Sequence, residues 1–399
     1  MKTDMADFWA NRKKREELAS LLENVINIYS PSGDAASVTK VGDIFAREYS
    51  NLGFTVKRIP QGEYGSHLVA ELKGTESGPC VLLMGHMDTV ESSHPQDRKF
   101  DLKGDIARGL GVLDMKGGLV TMLYGVQSFL EAYGPDFPGT IRVFYNADEE
   151  VGSPASRPLL PSVLKGVTAA LVAEPAKPDG AVKFVRKGCG IFRIRVRGRA
   201  SHAGSAPDEG RSAIRELMEK LIAMENLKGG GTTINTGVIH GGMSPWIVPE
   251  EAFAAIDVRV PTVEERRRIE KELEAIRRKN WVPDTETVIE GEFHRPPITL
   301  IPGSRELMEI LRKNAEAIQA PVSFPEDPEG AVGDINNIVD SGIPGVDGIG
   351  PLGSGAHSED EYILFSSLYD RGHLTSLTLK SLLDGDLTKT PATSGTPKS

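Results

Sequence analysis

Three short apolar runs in this chain each end on an ionisable cluster. Any fold it adopts has to accommodate those three ends together. Val81-Leu82-Leu83-Met84 leads into Gly85-His86-Met87-Asp88, Val143-Phe144-Tyr145 into Asp148-Glu149-Glu150, and Ala170-Leu171-Val172 into Glu174-Pro175. Apolar runs of this length, bounded by polar or glycine-containing turns, read as buried strands. In an open parallel sheet the carboxyl ends of the strands lie along one edge, where ligands bind. Side chains far apart in sequence are therefore expected to converge.

The segments around these runs fit that arrangement. Arg15 to Tyr29 reads as an amphipathic helix with Leu18, Leu21, Leu22, Val25 and Ile26 on one face, and Gly117 to Tyr133 as a second with Leu119, Met122, Leu123, Val126 and Leu130 at helical spacing. Strands are expected at Leu68 to Leu72, Cys80 to Met84, Thr140 to Tyr145 and Thr168 to Val172. Alternating strands and helices predict an α/β layer around a mostly parallel sheet.

Near Gly190 the pattern changes. Phe192, Ile194 and Val196 alternate with Arg193, Arg195 and Arg197, the period of a strand with one buried face. A helix follows, with Ile214, Leu217, Met218, Leu221 and Ile222 expected on its apolar side. Then come strands at Thr232 to Ile239 and Ala252 to Val260, a charged helix from Val263 to Lys279, and a strand from Thr287 to Gly291. The order β-α-β-β-α-β is ferredoxin-like. The reading is a discontinuous α/β domain, 1–190 and 296–386, interrupted by an inserted α+β domain at 191–295. A Thr-, Pro-, Ser- and Lys-rich tail, 387–399, is expected to be disordered.

Two further groups complete a candidate constellation. Asp114 lies in the loop Gly109 to Gly118, just before a helix, and His357 lies in the glycine-rich loop Gly350 to His357. Two histidines with three carboxylates suit Zn²⁺ with mixed nitrogen and oxygen ligands. With one carboxylate bridging, such a set can hold two ions roughly 3.5–4 Å apart. His86 and Asp88 are two residues apart, so on a continuing strand Asp88 can accept the second ring N–H of His86. Adjacent Glu149 and Glu150 cannot both face the metals along an extended chain, so one is expected as ligand and the other as base.

The formal net charge of −10 argues against a nucleic-acid binder, which needs a basic surface. No segment supplies the roughly 18 apolar residues of a membrane helix. The charged stretch from Met1 to Leu18 lacks the apolar core of a signal peptide. Two cysteines, Cys80 and Cys189, make no disulfide framework. A cytoplasmic location is expected.

Taken together, the motifs Met84-Gly85-His86-Met87-Asp88-Thr89-Val90, Gly111 to Gly118, Asp148 to Ser153, Ala173-Glu174-Pro175, Ala200-Ser201-His202-Ala203-Gly204 and Ala356-His357-Ser358 resemble one family. It is the zinc metallopeptidase family of aminoacylases, succinyl-diaminopimelate desuccinylases, acetylornithine deacetylases and the bacterial folate-cleaving glutamate carboxypeptidase. The resemblance spans about Leu18 to Leu383 and is nearest in pattern to the glutamate carboxypeptidase branch. It implies two zinc ions, with Co²⁺ or Mn²⁺ as possible substitutes. His86 and Glu174 would hold one ion, Glu150 and His357 the other, and Asp114 would bridge. It implies that the discontinuous domain is a catalytic domain carrying both ions, that Glu149 is the general base, that the 191–295 domain is a lid that mediates a homodimer, and that His202 reaches from one subunit into the site of the other and stabilises the oxyanion.

For the substrate, the same resemblance nominates Arg295 in His294-Arg295-Pro296-Pro297 and Arg259 at the end of a lid strand as receivers of a carboxylate. Two segments depart from that branch. Trp246 stands where the carboxypeptidase has an asparagine, and Glu329 to Asp334 replaces a Gly-Gly-Gly-Thr-Asp segment. Trp246 reads either as an apolar wall for the substrate or as lid core packing. The implied reaction is release of a C-terminal amino acid from a small peptide or N-acyl amino acid. The alternatives are an N-acyl-amino-acid deacylase or dipeptidase and, in another class, a non-catalytic binding protein of the same fold.

Overall fold

A computed structural model describes residues 4–387 of the chain. Apart from Leu387, the tail expected to be disordered lies outside the described residues. Contacts divide the chain into two compact units. One comprises residues up to Phe184, Leu300–Glu326 and those from Gly333; the other comprises Val185–Thr299 and Asp327–Val332. The second unit is wider than the 191–295 insertion read from the sequence. Hydrogen bonds explain why it includes Asp327–Val332: the Lys187 N–H donates to the Glu329 carbonyl at 2.9 Å, and the Arg259 guanidinium donates to the Gly330 carbonyl at 2.5 Å.

The first unit is built on a six-stranded sheet in the order Thr55–Pro60, Ser66–Lys73, Pro138–Asn146, Glu76–His86, Val167–Val172, Gly345–Asp347. Thr55–Pro60 pairs antiparallel with Ser66–Lys73, which pairs antiparallel with Pro138–Asn146, and the other three pairings are parallel, so the sheet is mostly parallel, as the sequence pattern predicts. Parallel strands covered on both faces need continuous apolar runs. Val81, Leu82, Leu83 and Met84 are each fully buried, and burial of such a side chain stabilises by about 1.5–3 kcal/mol. Helix Lys116–Tyr133 is buried nearly all round and packs on Ser367–Leu383. Its start fits tightly against the end of a sheet strand, because a Cβ at Gly118 would lie 1.9 Å from the Ala173 carbonyl oxygen. Only glycine permits that approach, which sets the helix beside Glu174.

A small antiparallel sheet joins two distant loops. Gly353–Ser354 pairs with Tyr362–Leu364, which pairs with Ile106–Arg108 and, through it, Asp101–Lys103. The loop carrying His357 is thereby fastened to the segment that precedes Asp114.

The second unit is a four-stranded antiparallel sheet in the order Glu286–Arg295, Gly188–Arg197, Glu251–Val260, Thr233–Gly241. Helices Ala213–Glu225 and Val263–Arg278 complete the ferredoxin-like β-α-β-β-α-β order. Phe192, Ile194 and Val196 are buried and the alternating arginines exposed. Gly188–Arg197 is an interior strand, so those arginines project from a sheet face and do not guard an edge.

One expectation for this unit fails. Met218 and Ile222 are exposed, while Glu216 and Lys220 of the same helix are fully buried. Lys220 Nζ donates to the carbonyls of Ile276 and Lys279 at 2.8 and 2.6 Å and pairs with Glu216 at 3.0 Å. Glu216 accepts the Trp281 and Val282 N–H groups at 2.8 and 2.7 Å. A buried charge is tolerated when it is paired and hydrogen-bonded, and hydrophobic periodicity cannot register such a pair.

Candidate metal centre

His86 is the last residue of its strand, and Glu150 and Glu174 follow two parallel neighbours of that strand. Parallel register sets these three at one sheet edge, and the two loops described above bring Asp114 and His357 to it. Asp114 Oδ1 lies 3.2 Å from His86 Nε2, and Asp114 Oδ2 lies 3.2 Å from His357 Nε2. Glu174 Oε1 is 3.6 Å from His86 Nε2, and Glu150 Oε2 is 3.1 Å from His357 Nε2. Donor atoms of His86, Asp114 and Glu150 lie within 4.8 Å of one another, as do those of His86, Glu149 and Glu174. Glu150 Oε1 is buried and has no hydrogen-bond partner among the described residues. A metal-ion ligand set of two imidazoles and three carboxylates, one of them facing both imidazoles, fits this geometry.

Asp88 departs from its expected contact. The His86 Nδ1–H group points to the Asp88 backbone carbonyl at 2.9 Å, with the carboxylate farther away at 3.5 Å. The chain turns after His86, so the Asp88 side chain swings past the ring. Its oxygens accept the N–H groups of Glu149 and Glu150, each at 3.2 Å, and the Ser32 hydroxyl at 2.6 Å. Asp88 thus fixes the turn that presents the two glutamates.

Other buried residues that hold the centre were not singled out from the sequence. Asp148 accepts the Ala155 and Ser156 N–H groups at 2.6 and 3.0 Å and shapes the same turn. A Cβ at Gly333 would lie within 3.9 Å of carboxylate oxygens of Glu174, Asp347 and Glu149, so this glycine lines the centre. Asp334 accepts from the Ser153 hydroxyl at 2.7 Å. Their only sequence signal was proximity to the motifs, in the Asp148 to Ser153 and Glu329 to Asp334 segments.

The electrostatics follow from burial and opposed charge. Burial lowers the His86 pKa, but the carboxylates of Asp114, Asp88 and Glu174 outweigh it and raise the value well above the usual imidazole range. Asp114 and Glu150 raise His357 to about 10. Burial opposes ionisation of Asp114, yet the two histidines hold it below the ordinary carboxylate range. Burial pushes Glu150 and Glu174 up, and the charge of Asp114 adds to the effect.

The remaining candidates belong to the second unit. His202 is exposed in a turn, and its Nδ1 accepts the Gly204 and Ser205 N–H groups at 3.1 Å each. Those bonds put the neutral ring's proton on Nε2, leaving an N–H donor. The turn is laced to the Trp246 segment by Ala203 N–H to the Trp246 carbonyl and Val248 N–H to the Ser201 carbonyl, at 2.8 and 2.9 Å. Trp246 is 72% exposed, which removes the core-packing reading. Arg259 engages Asp257 through Nε and Nη2, at 3.0 and 3.2 Å. Arg295 is buried at the end of its strand.

The model of peptidase family M20/M25/M40 matches residues 82–380. This chain belongs to that family. The M20 peptidase is 29% identical over 388 residues to carboxypeptidase G2 of Pseudomonas sp. (strain RS-16), covering 96% of this chain and 93% of that one. Its fold is similar to that of aminopeptidase PepT from Bacillus cereus ATCC 10987, with a TM-score of 0.76 at 21% identity, over 92% of this chain and 98% of the other. It is also similar to a dinuclear metal-binding M20 peptidase of Bacillus subtilis, with a TM-score of 0.69 at 15% identity, over 94% and 99% of the two chains. The M20 peptidase is therefore a hydrolase of the metallopeptidase class, and the non-catalytic alternative falls away. Among the described residues, no helix is long and apolar enough to cross a membrane.

Proposed function

We propose that this enzyme is a cytoplasmic, two-zinc carboxypeptidase that hydrolyses an amide bond in a small peptide or N-acyl amino acid and releases the C-terminal residue, with glutamate-like residues favoured. The observation that carries the reading is the position of Asp114, one oxygen toward His86 and the other toward His357. In it, His86 and Glu174 would hold one ion, Glu150 and His357 the other, and Asp114 would serve both. Co²⁺ and Mn²⁺ suit the same donors. When bound, the ions acidify a coordinated water and polarise the scissile carbonyl.

The protein's own groups carry the rest. Glu149, held by its backbone on Asp88, takes a proton from the attacking water and delivers it to the leaving nitrogen. His202 offers its Nε2–H to the developing oxyanion. Arg295 keeps the carboxylate-binding role that the resemblance gives it. Arg259, already forked onto Asp257, supports it. A panel of N-acyl amino acids and dipeptides tests the substrate reading. Fastest turnover on substrates ending in a free glutamate carboxylate is expected. Preference for an apolar C-terminal residue, favoured by the exposed Trp246, would move the assignment to an N-acyl-amino-acid deacylase or dipeptidase.

Metal binding should be proton-linked. In the metal-free centre both imidazoles retain protons at neutral pH because their pKa values are raised, and an ion must displace them. Zn²⁺ affinity therefore rises with pH below about 10, by about tenfold per proton released for each pH unit. Calorimetric titration in two buffers of different ionisation enthalpy should report net proton release. Identical enthalpies in the two buffers would contradict it.

The enzyme is proposed to act as a homodimer joined through the lid. Strand Thr233–Gly241 is an edge of the lid sheet, with Val238 and Ile239 exposed on it, and Met218 and Ile222 are exposed on the lid helix Ala213–Glu225. An unpaired edge carrying apolar side chains favours pairing with a second copy. His202 of one subunit would then serve the other's centre. Mixed His202→Ala and Glu149→Ala proteins should recover part of the wild-type turnover once subunits exchange, because one hybrid site is complete. No recovery after demonstrated exchange would reject action in trans.

A further inference from the structure

Glu361 is 97% buried and follows His357 by only four residues, yet its carboxylate is spent on the loop that carries Asp114. Oε1 accepts the N–H groups of Leu113 and Asp114 at 2.9 and 3.1 Å, and Oε2 accepts the Gly111 N–H at 3.0 Å. The Arg98 guanidinium donates to Oε2 at 3.0 Å. Each oxygen therefore receives two donors. Gly111 has a φ of 75°, the left-handed conformation that turns successive N–H groups toward one anion. One side chain thus ties the loop of one candidate ligand, Asp114, to the loop of another, His357. His86 and Glu174 do not depend on this tie, because they stand at the ends of central strands.

We propose that Glu361 is the positioning residue that sets Asp114 against His357 and so determines affinity for the ion held by Asp114, Glu150 and His357, with less effect on the ion that shares Asp114 with His86 and Glu174, because those two ligands stand at the ends of central strands. The inference rests on the two-metal reading above. Its physical basis is that a carboxylate alone satisfies four donors. In Glu361→Gln an NH₂ group must face two of them, leaving buried N–H groups opposed to a donor. The Asp114 loop then relaxes away from His357, while the strand-borne ligands stay in place.

The test is stepwise Zn²⁺ titration of the metal-free full-length protein against a competing chelator, for wild type, Glu361→Gln and Arg98→Met, with the melting temperature of each metal-free protein. Wild type should take up two equivalents. In Glu361→Gln the weaker equivalent should lose about 10–100-fold in affinity, the range for groups that orient metal ligands, while the tighter changes by less than about threefold. Arg98→Met keeps the four acceptor sites and loses one donor, so the same selective loss should appear at less than about tenfold. Unchanged affinities in Glu361→Gln, or equal weakening of both equivalents, would overturn the proposal. If Glu361→Gln does not fold, Arg98→Met decides by the same criterion. A wild-type protein that binds fewer than two equivalents would count against the two-metal reading itself.

Discussion

Glu149→Gln should lower kcat by about 10²–10⁴-fold while metal content and fold stay intact. Glu149 has a carboxylate oxygen within 4.8 Å of donor atoms of His86 and Glu174, so it stands where an attacking water would be deprotonated. Its backbone is fixed by Asp88, a bond that does not involve the side chain to be changed. Glutamine preserves size and the possibility of a hydrogen bond but cannot accept the proton. Steady-state turnover of an N-acyl-glutamate, with elemental analysis of the same sample, separates the two properties. A metal-loaded variant with near-normal turnover would place the base elsewhere. Loss of metal along with turnover would make Glu149 a ligand.

Asp114→Ala should remove at least one ion per chain and lower turnover more than Glu149→Gln does. No other carboxylate stands at hydrogen-bonding distance from both candidate imidazoles in the described residues. Without it, His86 and His357 lose the group they share, and Glu150 and Glu174 are left as buried carboxylates beside fewer donors. Removing one partner from a buried charged cluster is strongly unfavourable, so the variant's pH dependence of metal uptake should change as well. Asp114→Asn retains one acceptor oxygen and should keep one ion more readily than Asp114→Ala. Retention of both ions by Asp114→Ala would show that the centre has another bridge.

Much of this molecule could be read from the chain, because its signals are local. Three apolar runs ending in His86, Glu150 and Glu174 needed only the rule that parallel strands finish at one edge. The alternation of Phe192, Ile194 and Val196 with arginines reported a one-sided strand. Contacts that depend on partners far away in sequence were less legible. Asp88 has the spacing to meet His86, but the turn after His86 sends its carboxylate to Glu149 and Glu150 instead. Glu361 carries no motif of its own, and its importance appears only when its loop is folded onto Gly111 to Asp114. Lys220 and Glu216 mimic a polar helix face in sequence, although a mutual ion pair and backbone caps let them replace Met218 and Ile222 in the core. Trp246 left two readings open, and exposure decides against packing.

The number of metal ions in the active wild-type enzyme tests the two-metal centre most directly. Protein purified without added metal, then reconstituted with Zn²⁺, passed through a desalting column and assayed, should contain two ions per chain by elemental analysis, and stripping with a chelator should abolish turnover until Zn²⁺ is restored. An active preparation holding one ion per chain or none would contradict the centre proposed around Asp114.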